Sequence, residues 1–256
     1  MSASQPGFLE KNHFLLRRLH SLTGVLPVGV FLINHLLTNS LTTNPAKFNH
    51  EVMWIHSLPY LVFIEFGAII LPLAFHAIYG VVIAMQARHN VQAYGYSDNV
   101  RFTLQRVSGW IAALFIVVHL FHFRFAGMVG GTSYPDMLHD GATPYQAAYQ
   151  GFANAWMVLW MIFYSVGLVA SVYHFANGMC TFCITWGITV GKQSRQAVSM
   201  AMTGLAIVLL IFGFKGLYGL SSDFEANQPK QEHHGEADLA DHQHGPIQPL
   251  GTGGEG

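Results

Sequence analysis

Charge is what this chain has least of: Lys and Arg together number 12, and Asp and Glu 13, among 256 residues, or 10% of the chain against 52% hydrophobic. That is too little to coat a soluble domain of this size, and a mean hydropathy of +0.35 points to a chain immersed in a bilayer. Cysteine is rarer still. Cys180 and Cys183 form a lone CxxC; without a second pair the motif is a weak metal or redox signal, and it reads as two small apolar fillers. The sequence has no glycine-rich phosphate loop, no nucleophile triad and no basic nucleic-acid patch, so those function classes and a nucleic-acid partner are not expected. Nor does it show a cleavable signal peptide, because the first ten residues are not apolar and the first apolar run is long enough to stay as a span.

Long apolar runs are what it has in abundance. A helix of about 20 mainly apolar residues crosses the hydrocarbon, and five runs qualify: Leu19 to Leu37, Tyr60 to Met85, Val107 to Phe125, Phe152 to Cys180 and Ala197 to Leu220. The expected fold is all-α, an integral membrane five-helix bundle in contact with lipid. Lys11, Arg17, Arg18, Arg88, Arg101, Arg106, Lys192 and Arg195 precede the first run or lie between the second and third or the fourth and fifth. Lys47, Arg124, Lys215 and Lys230 fall on the other side, so the positive-inside rule predicts a cytoplasmic N-terminus and an outside C-terminus. The expected parts are a cytoplasmic arm (1–18), a five-span domain (19–220) and a polar tail (221–256). The tail is acidic and holds His233, His234, His242 and His244. It buries too little apolar surface to repay ordering and is expected to be disordered. Asn39 to Pro59 reads as an external loop with one short surface helix, and Gly127 to Gln150 as a second external loop. Pro27 is expected to kink the first span.

Four consecutive runs carry a histidine: His35, His76, His119 and His174. An ionisable side chain within a membrane is costly and marks a functional site by default. A single one is explained as well by a hydrogen bond to a neighbouring helix. Four together point to two bis-histidine haems, because neutral imidazole is a good iron ligand and two of them fill both axial positions. With no CxxCH, the haems are expected to be non-covalent b-type groups. A six-coordinate iron has no open position, so such haems relay electrons and do not activate a substrate. The chain then needs a soluble donor at the cytoplasmic face and a lipid-soluble acceptor, a quinone.

Depth predicts the pairing. At a rise of about 1.5 Å per residue, His35 lies about 25 Å beyond Arg18 and His119 about 8 Å before Arg124, both in the outer half. His76 lies about 24 Å beyond Tyr60 and His174 about 35 Å beyond Gly151 on helices running inward, which puts both nearer the cytoplasm. The expected inner haem therefore joins His76 and His174, and the outer one His35 and His119. Gly80 and Gly178, each one turn beyond a histidine, are expected to leave a gap for a porphyrin. Arg17, Arg18, Gln105 and Arg106 lie at the cytoplasmic edge, where they suit haem propionates, headgroups or a docked subunit equally.

Arg17-Arg-Leu-His-Ser-Leu-Thr-Gly24, Pro27-Val-Gly-Val-Phe-Leu-Ile-Asn-His35-Leu, His56-Ser-Leu-Pro59, Leu71-Pro-Leu-Ala-Phe-His76-Ala-Ile-Tyr-Gly80, Leu104-Gln-Arg-Val-Ser-Gly109, His174-Phe-Ala-Asn-Gly178 and Thr185-Trp-Gly-Ile-Thr-Val190 closely resemble the cytochrome b558 subunits of bacterial succinate dehydrogenases and their fumarate reductase relatives. The resemblance covers about residues 12 to 220. It implies haem ligation by the residues matching His35, His76, His119 and His174, and a flavoprotein subunit with covalent FAD and an iron–sulfur subunit docked at the cytoplasmic face. Neither of those cofactors would be bound by this chain. It further implies a multi-pass protein of the bacterial cytoplasmic membrane that delivers electrons to menaquinone. Some relatives carry a carboxylate near the outer haem, two residues before the position of Ser57 or immediately before it; at the latter position this chain has His56. Proton-moving fumarate reductase relatives carry a glutamate where this chain has Val172, so no compensating proton path is expected.

The outer loop is the expected place of quinone reduction, with His56 passing protons, Glu51 and His50 as helpers, and Trp54 and Pro59 framing a pocket. An ordinary exposed loop histidine is the competing reading of His56. Two rival functions remain at this point: the same anchor working in fumarate reduction, and a haem-free helical transporter or scaffold whose histidines bind metal or carry protons.

Overall fold

The computed structural model describes residues 8–86, 97–224 and 226. Arg88 and the histidines of the tail lie outside them. Among the described residues there is no strand, and five helical stretches are long and apolar enough to cross a membrane: Asn12–Thr43, Leu61–Met85, Asn99–Phe123, Met157–Thr185 and Lys192–Gly219. The chain is an all-α, multi-pass membrane protein.

Proline shapes the first two spans. Helix α1 (Phe8–Val25) runs through the boundary expected at residue 18, breaks at Leu26, and resumes as α2 (Pro27–Asn39). Pro27 has no N–H to continue the ladder, so the break falls immediately before it. A 3-10 turn, Ser40–Thr43, leads to the surface helix α3 (Pro45–His56), whose first turn is closed by the Asn44 side chain accepting from the Lys47 N–H at 3.1 Å. The second span opens at Tyr60, whose backbone is left-handed (φ 60°), with α4 (Leu61–Phe63), widens to a π-helix over Ile64–Ile70, and continues as α5 (Leu71–Met85). Pro72 accounts for the widening. Its ring clashes with an ordinary α turn and it lacks the N–H that Ala68 would receive, whereas the i→i+5 turn makes room, as in the Leu71 N–H bond to the Phe66 carbonyl.

Helix α6 (Ser97–Phe123) is the third span. Between it and the fourth lie α7 (Tyr134–His139) and α8 (Pro144–Phe152), each begun by a capping box, Ser133 with Asp136 and Thr143 with Gln146. The fourth span, α9 (Met157–Thr185), corrects the expected Phe152 to Cys180. Phe152 ends α8 and is 1% exposed against the end of the bundle. Its apolarity serves a cap on the bundle, and the turn at Asn154, whose side chain accepts from the Trp156 N–H at 2.9 Å, separates it from the span. Helix α10 (Lys192–Gly219) is the fifth.

Helix α6 packs on α9, α9 on α10, α10 on α2, and α1 on α5 and α9. Lacking a histidine, α10 serves as a buttress. Gly213 admits the Leu168 side chain and Gly216 the Asn39 backbone, where a Cβ would lie 2.9 Å from the carbonyl oxygen. The buried Thr42 hydroxyl donates to the Gly216 carbonyl at 2.8 Å. Leu36, Leu168, Val172 and Leu209 form the apolar seam of α2, α9 and α10. Phe48, Val52, Tyr145, Ala148 and Phe152 join Tyr164 and Leu220 in a cap over the end remote from Arg17 and Arg18. Tyr145, fully buried, ties that cap by donating to the Gly219 and Ser222 carbonyls at 2.9 and 3.0 Å. Cys180 and Cys183 are buried and free.

Candidate functional site

The four histidines expected as ligands form two pairs. His76 on α5 and His174 on α9 have ring centres 6.1 Å apart and nearly perpendicular planes (87°). His35 on α2 and His119 on α6 are 5.8 Å apart at 76°. Two imidazoles on opposite sides of one metal ion, each bound through nitrogen at about 2 Å, place their ring centres about 6 Å apart.

The nitrogens are prepared for that arrangement. A carbonyl oxygen only accepts, so the Nδ1 of His76, 2.8 Å from the His20 carbonyl, carries the proton, as does that of His174, 3.0 Å from the Gln105 carbonyl. Both Nε2 lone pairs are thereby left for a ligand. The same reasoning extends to His119 through a chain. His122 Nε2–H donates to the Gly151 carbonyl at 2.9 Å, so in the neutral ring His122 Nδ1 accepts from the Tyr164 hydroxyl at 2.7 Å. The Tyr164 oxygen then accepts from His119 Nδ1–H at 3.3 Å. Asn39 reaches His35 less directly, donating to its carbonyl at 2.8 Å with the ring Nδ1 at 3.4 Å.

Glycines open the space around the rings, but not the two expected. Gly24 lies directly against the His76 ring, and a Cβ on Gly109 would stand 2.9 Å from His174 Cε1. Gly80 faces the His20 ring at 3.1 Å, and Gly178 the Gln105 amide at 3.5 Å. The clearance comes from the facing helix, because a residue one turn along the same helix borders its own side chain and not the far side of the ring.

The end of the bundle beside His76 and His174 is basic. Arg18 stacks over Trp186 at 5.0 Å, and Trp186 Nε1–H donates to the Ser21 hydroxyl at 3.1 Å. The Nε atoms of Arg18 and Arg106 and the Nδ1 of His20 are buried without a hydrogen-bond partner. The two arginine N–H groups are donors and call for an acceptor. Arg17 is exposed. Gln105 is tied within the bundle: its amide oxygen accepts from Asn177 Nδ2 at 2.7 Å and its amide nitrogen donates to the His174 carbonyl at 3.1 Å.

No family model matches the chain. It is 37% identical over 206 residues, 80% of its length, to the succinate dehydrogenase cytochrome b558 subunit of Bacillus subtilis (strain 168), of which the match covers 96%. The chain belongs to this family. It is therefore a subunit of the succinate dehydrogenase cytochrome b558 type, within an oxidoreductase complex.

Around this cytochrome-type core the structure adds residues that sequence reasoning passed over. His20 stacks on His76 with centres 4.0 Å apart and planes 12° from parallel. His122 stacks on Trp160 at 4.2 Å. Both were findable, since His122 is one turn from His119 and His20 lies one turn before Gly24. Glu65, in the π segment, pairs with Arg124, and its carboxylate holds that guanidinium above its ordinary pKa, chiefly by hydrogen bonding. At the same end His56 closes α3, exposed, and among the described residues no hydrogen bond or ring contact reaches it. His50 and Glu51, 3.6 Å apart, border a shallow hollow of about 460 Å³ with Leu41, Ala46 and Lys47. Trp54 is 58% exposed. Val172 is wholly buried in the apolar seam. Among the described residues no cluster of three or more His, Cys, Asp or Glu side chains offers another metal site.

Proposed function

We propose that this chain is the haem-bearing, quinone-reactive anchor of a succinate:quinone oxidoreductase, carrying electrons from an iron–sulfur subunit to a membrane quinone, menaquinone by the resemblance. The observation that carries the reading is the pair of imidazole pairs at 6.1 and 5.8 Å. His76 with His174 would hold one b-type haem and His35 with His119 another; when bound, each group supplies one-electron transfer without an open iron position. The fit is supported by the Nδ1 bonds, which leave Nε2 free, and by the clearance at Gly24 and Gly109.

The protein's own residues have distinct tasks in this reading. Backbone carbonyls of His20 and Gln105 fix the tautomer and rotation of the ligand rings, and Tyr164 does so for His119. Arg18 and Arg106, with unpartnered buried Nε donors, are suited to haem propionates, and exposed Arg17 to a docked subunit or headgroups. The basic end is read as cytoplasmic, facing the flavoprotein and iron–sulfur subunits, with the bundle in the bacterial inner membrane. The dicarboxylate chemistry belongs to the soluble partners. The quinone is assigned to the opposite end, where exposed His56 is open to a quinone headgroup.

A pyridine haemochrome assay of the purified complex is expected to give two haems per chain. Replacing His76 or His174 should remove one spectral component, and replacing His35 or His119 the other. One haem per chain, or a grouping of His76 with His119, overturns the assignment.

A further inference from the structure

We propose that Arg101, through Asn177 and Gln105, positions His174 and sets the potential of the inner haem. The inference rests on the reading of His174 as an axial ligand. Arg101 donates from both Nη2 and Nε to Asn177 Oδ1, at 2.8 and 3.0 Å, and from Nη1 to the Ser199 hydroxyl at 3.3 Å. Asn177, 6% exposed, donates through Nδ2 to Gln105 Oε1 at 2.7 Å. Gln105 donates through Nε2 to the His174 carbonyl at 3.1 Å, and His174 Nδ1–H returns a bond to the Gln105 carbonyl at 3.0 Å.

The polarity of this chain is dictated from its charged end. A guanidinium has no acceptor, so Asn177 must turn its oxygen to Arg101 and its NH₂ to Gln105. Gln105 must then turn its oxygen to Asn177, which directs its own NH₂ to His174. Each amide is held in one of its two orientations, and α6 and α9 are locked in register at the imidazole. Joining two helices needs no charge, since small apolar residues do it within a membrane. An arginine at the basic end of a spanning helix ordinarily extends toward the headgroups. Arg101 instead turns inward across α9 and α10 and places its charge two side chains from His174. That charge disfavours the ferric state electrostatically. Geometry and charge are separable by substitution: R101K keeps the charge but not the two-pronged fork onto Asn177, and N177A keeps the charge but cuts the chain.

The test is a redox titration of the purified complex followed optically, together with the electron paramagnetic resonance spectrum of its ferric haems. R101Q is expected to lower the inner haem's midpoint potential so that its oxidised-to-reduced ratio at the wild-type midpoint rises about tenfold, about 59 mV for one electron. N177A and R101K are expected to shift the inner haem's resonance, which reports ring orientation, and to leave the outer haem's resonance and potential unchanged; R101K should keep its inner potential nearer the wild-type value than R101Q. Should R101Q not accumulate, N177A and R101K decide the matter alone. Unchanged inner resonance and potential at full haem content overturn the inference, as does an equal disturbance of both haems, which would mark a general loosening of the bundle. A wild-type complex without haem, or one in which replacing His174 removes no component, overturns the ligand reading itself and is told apart by haem content.

Discussion

At the scale of single residues, the site depends on which groups face an imidazole, and two glycines give a clean contrast. A Cβ at Gly109 meets His174 Cε1 at 2.9 Å and Nδ1 at 3.1 Å, whereas one at Gly204 meets nothing within 4 Å. Gly109→Ala is expected to disturb the spectral component assigned to His76 and His174 and to leave the other intact, while Gly204→Ala changes neither; difference spectra of the two variants check this. Charge gives a second prediction. With Arg18 and Arg106 beside the inner pair, replacing either by Gln removes a positive charge and should lower the inner haem's midpoint potential, as redox titration would read; unchanged potential with weakened binding of the soluble subunits would mean docking instead. Much of this site was legible before any coordinates. Helical rise alone grouped His35 with His119 and His76 with His174, and those rings are neighbours in the structure. What rise cannot supply is azimuth. The stack of His20 on His76, the Tyr164 link from His119 to His122 and the commitment of Gln105 to Asn177 and His174 each depend on how two helices are rotated about their own axes. A sequence without a partner fixes no such rotation.

At the scale of elements, the second span shows how one proline places a side chain seven residues before it, through a stretch of backbone wound wider than usual. The π segment Ile64–Ile70 ends two residues before Pro72, and within it Glu65 meets Arg124, the residue just beyond α6. Rewinding that segment to an ordinary α-helix would rotate everything before it relative to His76 and carry Glu65 off Arg124. The ion pair is partly exposed, with side chains 26% and 35% accessible, so its value lies between a surface pair and a buried one, about 1–2 kcal/mol. Glu65→Gln should therefore destabilise the detergent-solubilised chain by that order, and should cost much less in a Pro72→Ala background; a double-mutant cycle on thermal unfolding measures the difference. Apolar run length found the spans but misplaced the start of the fourth, because Phe152 is as apolar as a lipid-facing residue while it ends α8 buried in the cap on the bundle. Composition registers burial without distinguishing lipid from protein as the covering medium.

At the scale of the whole molecule, two imidazole pairs on one bundle matter because they lie at different depths. Electrons that enter at the basic end and reach a quinone at the other cross the membrane's electric field; a quinone reduced beside His76 and His174 would leave His35 and His119 outside the route. Moving one charge through the full potential changes the free energy by about 2.3 kcal/mol per 100 mV. Protons travelling the same way would cancel that movement, but the position at which the resemblance places a glutamate in proton-moving fumarate reductase relatives holds Val172, fully buried among Leu36, Leu168 and Leu209. Succinate oxidation by the assembled complex is accordingly expected to respond to the membrane potential. The sign follows from the electron's charge: a potential positive on the side away from the basic end draws electrons toward the quinone. In sealed vesicles with the basic end facing the medium, a lumen-positive potential should accelerate quinone reduction by succinate, and an uncoupler should slow it. The protonation step is tested in the same vesicles with His56→Ala, which should lower the rate of quinone reduction while both haem components still reduce with succinate. A rate that ignores the potential, together with normal turnover in His56→Ala, would place quinone reduction at the basic end beside His20 and Ser21.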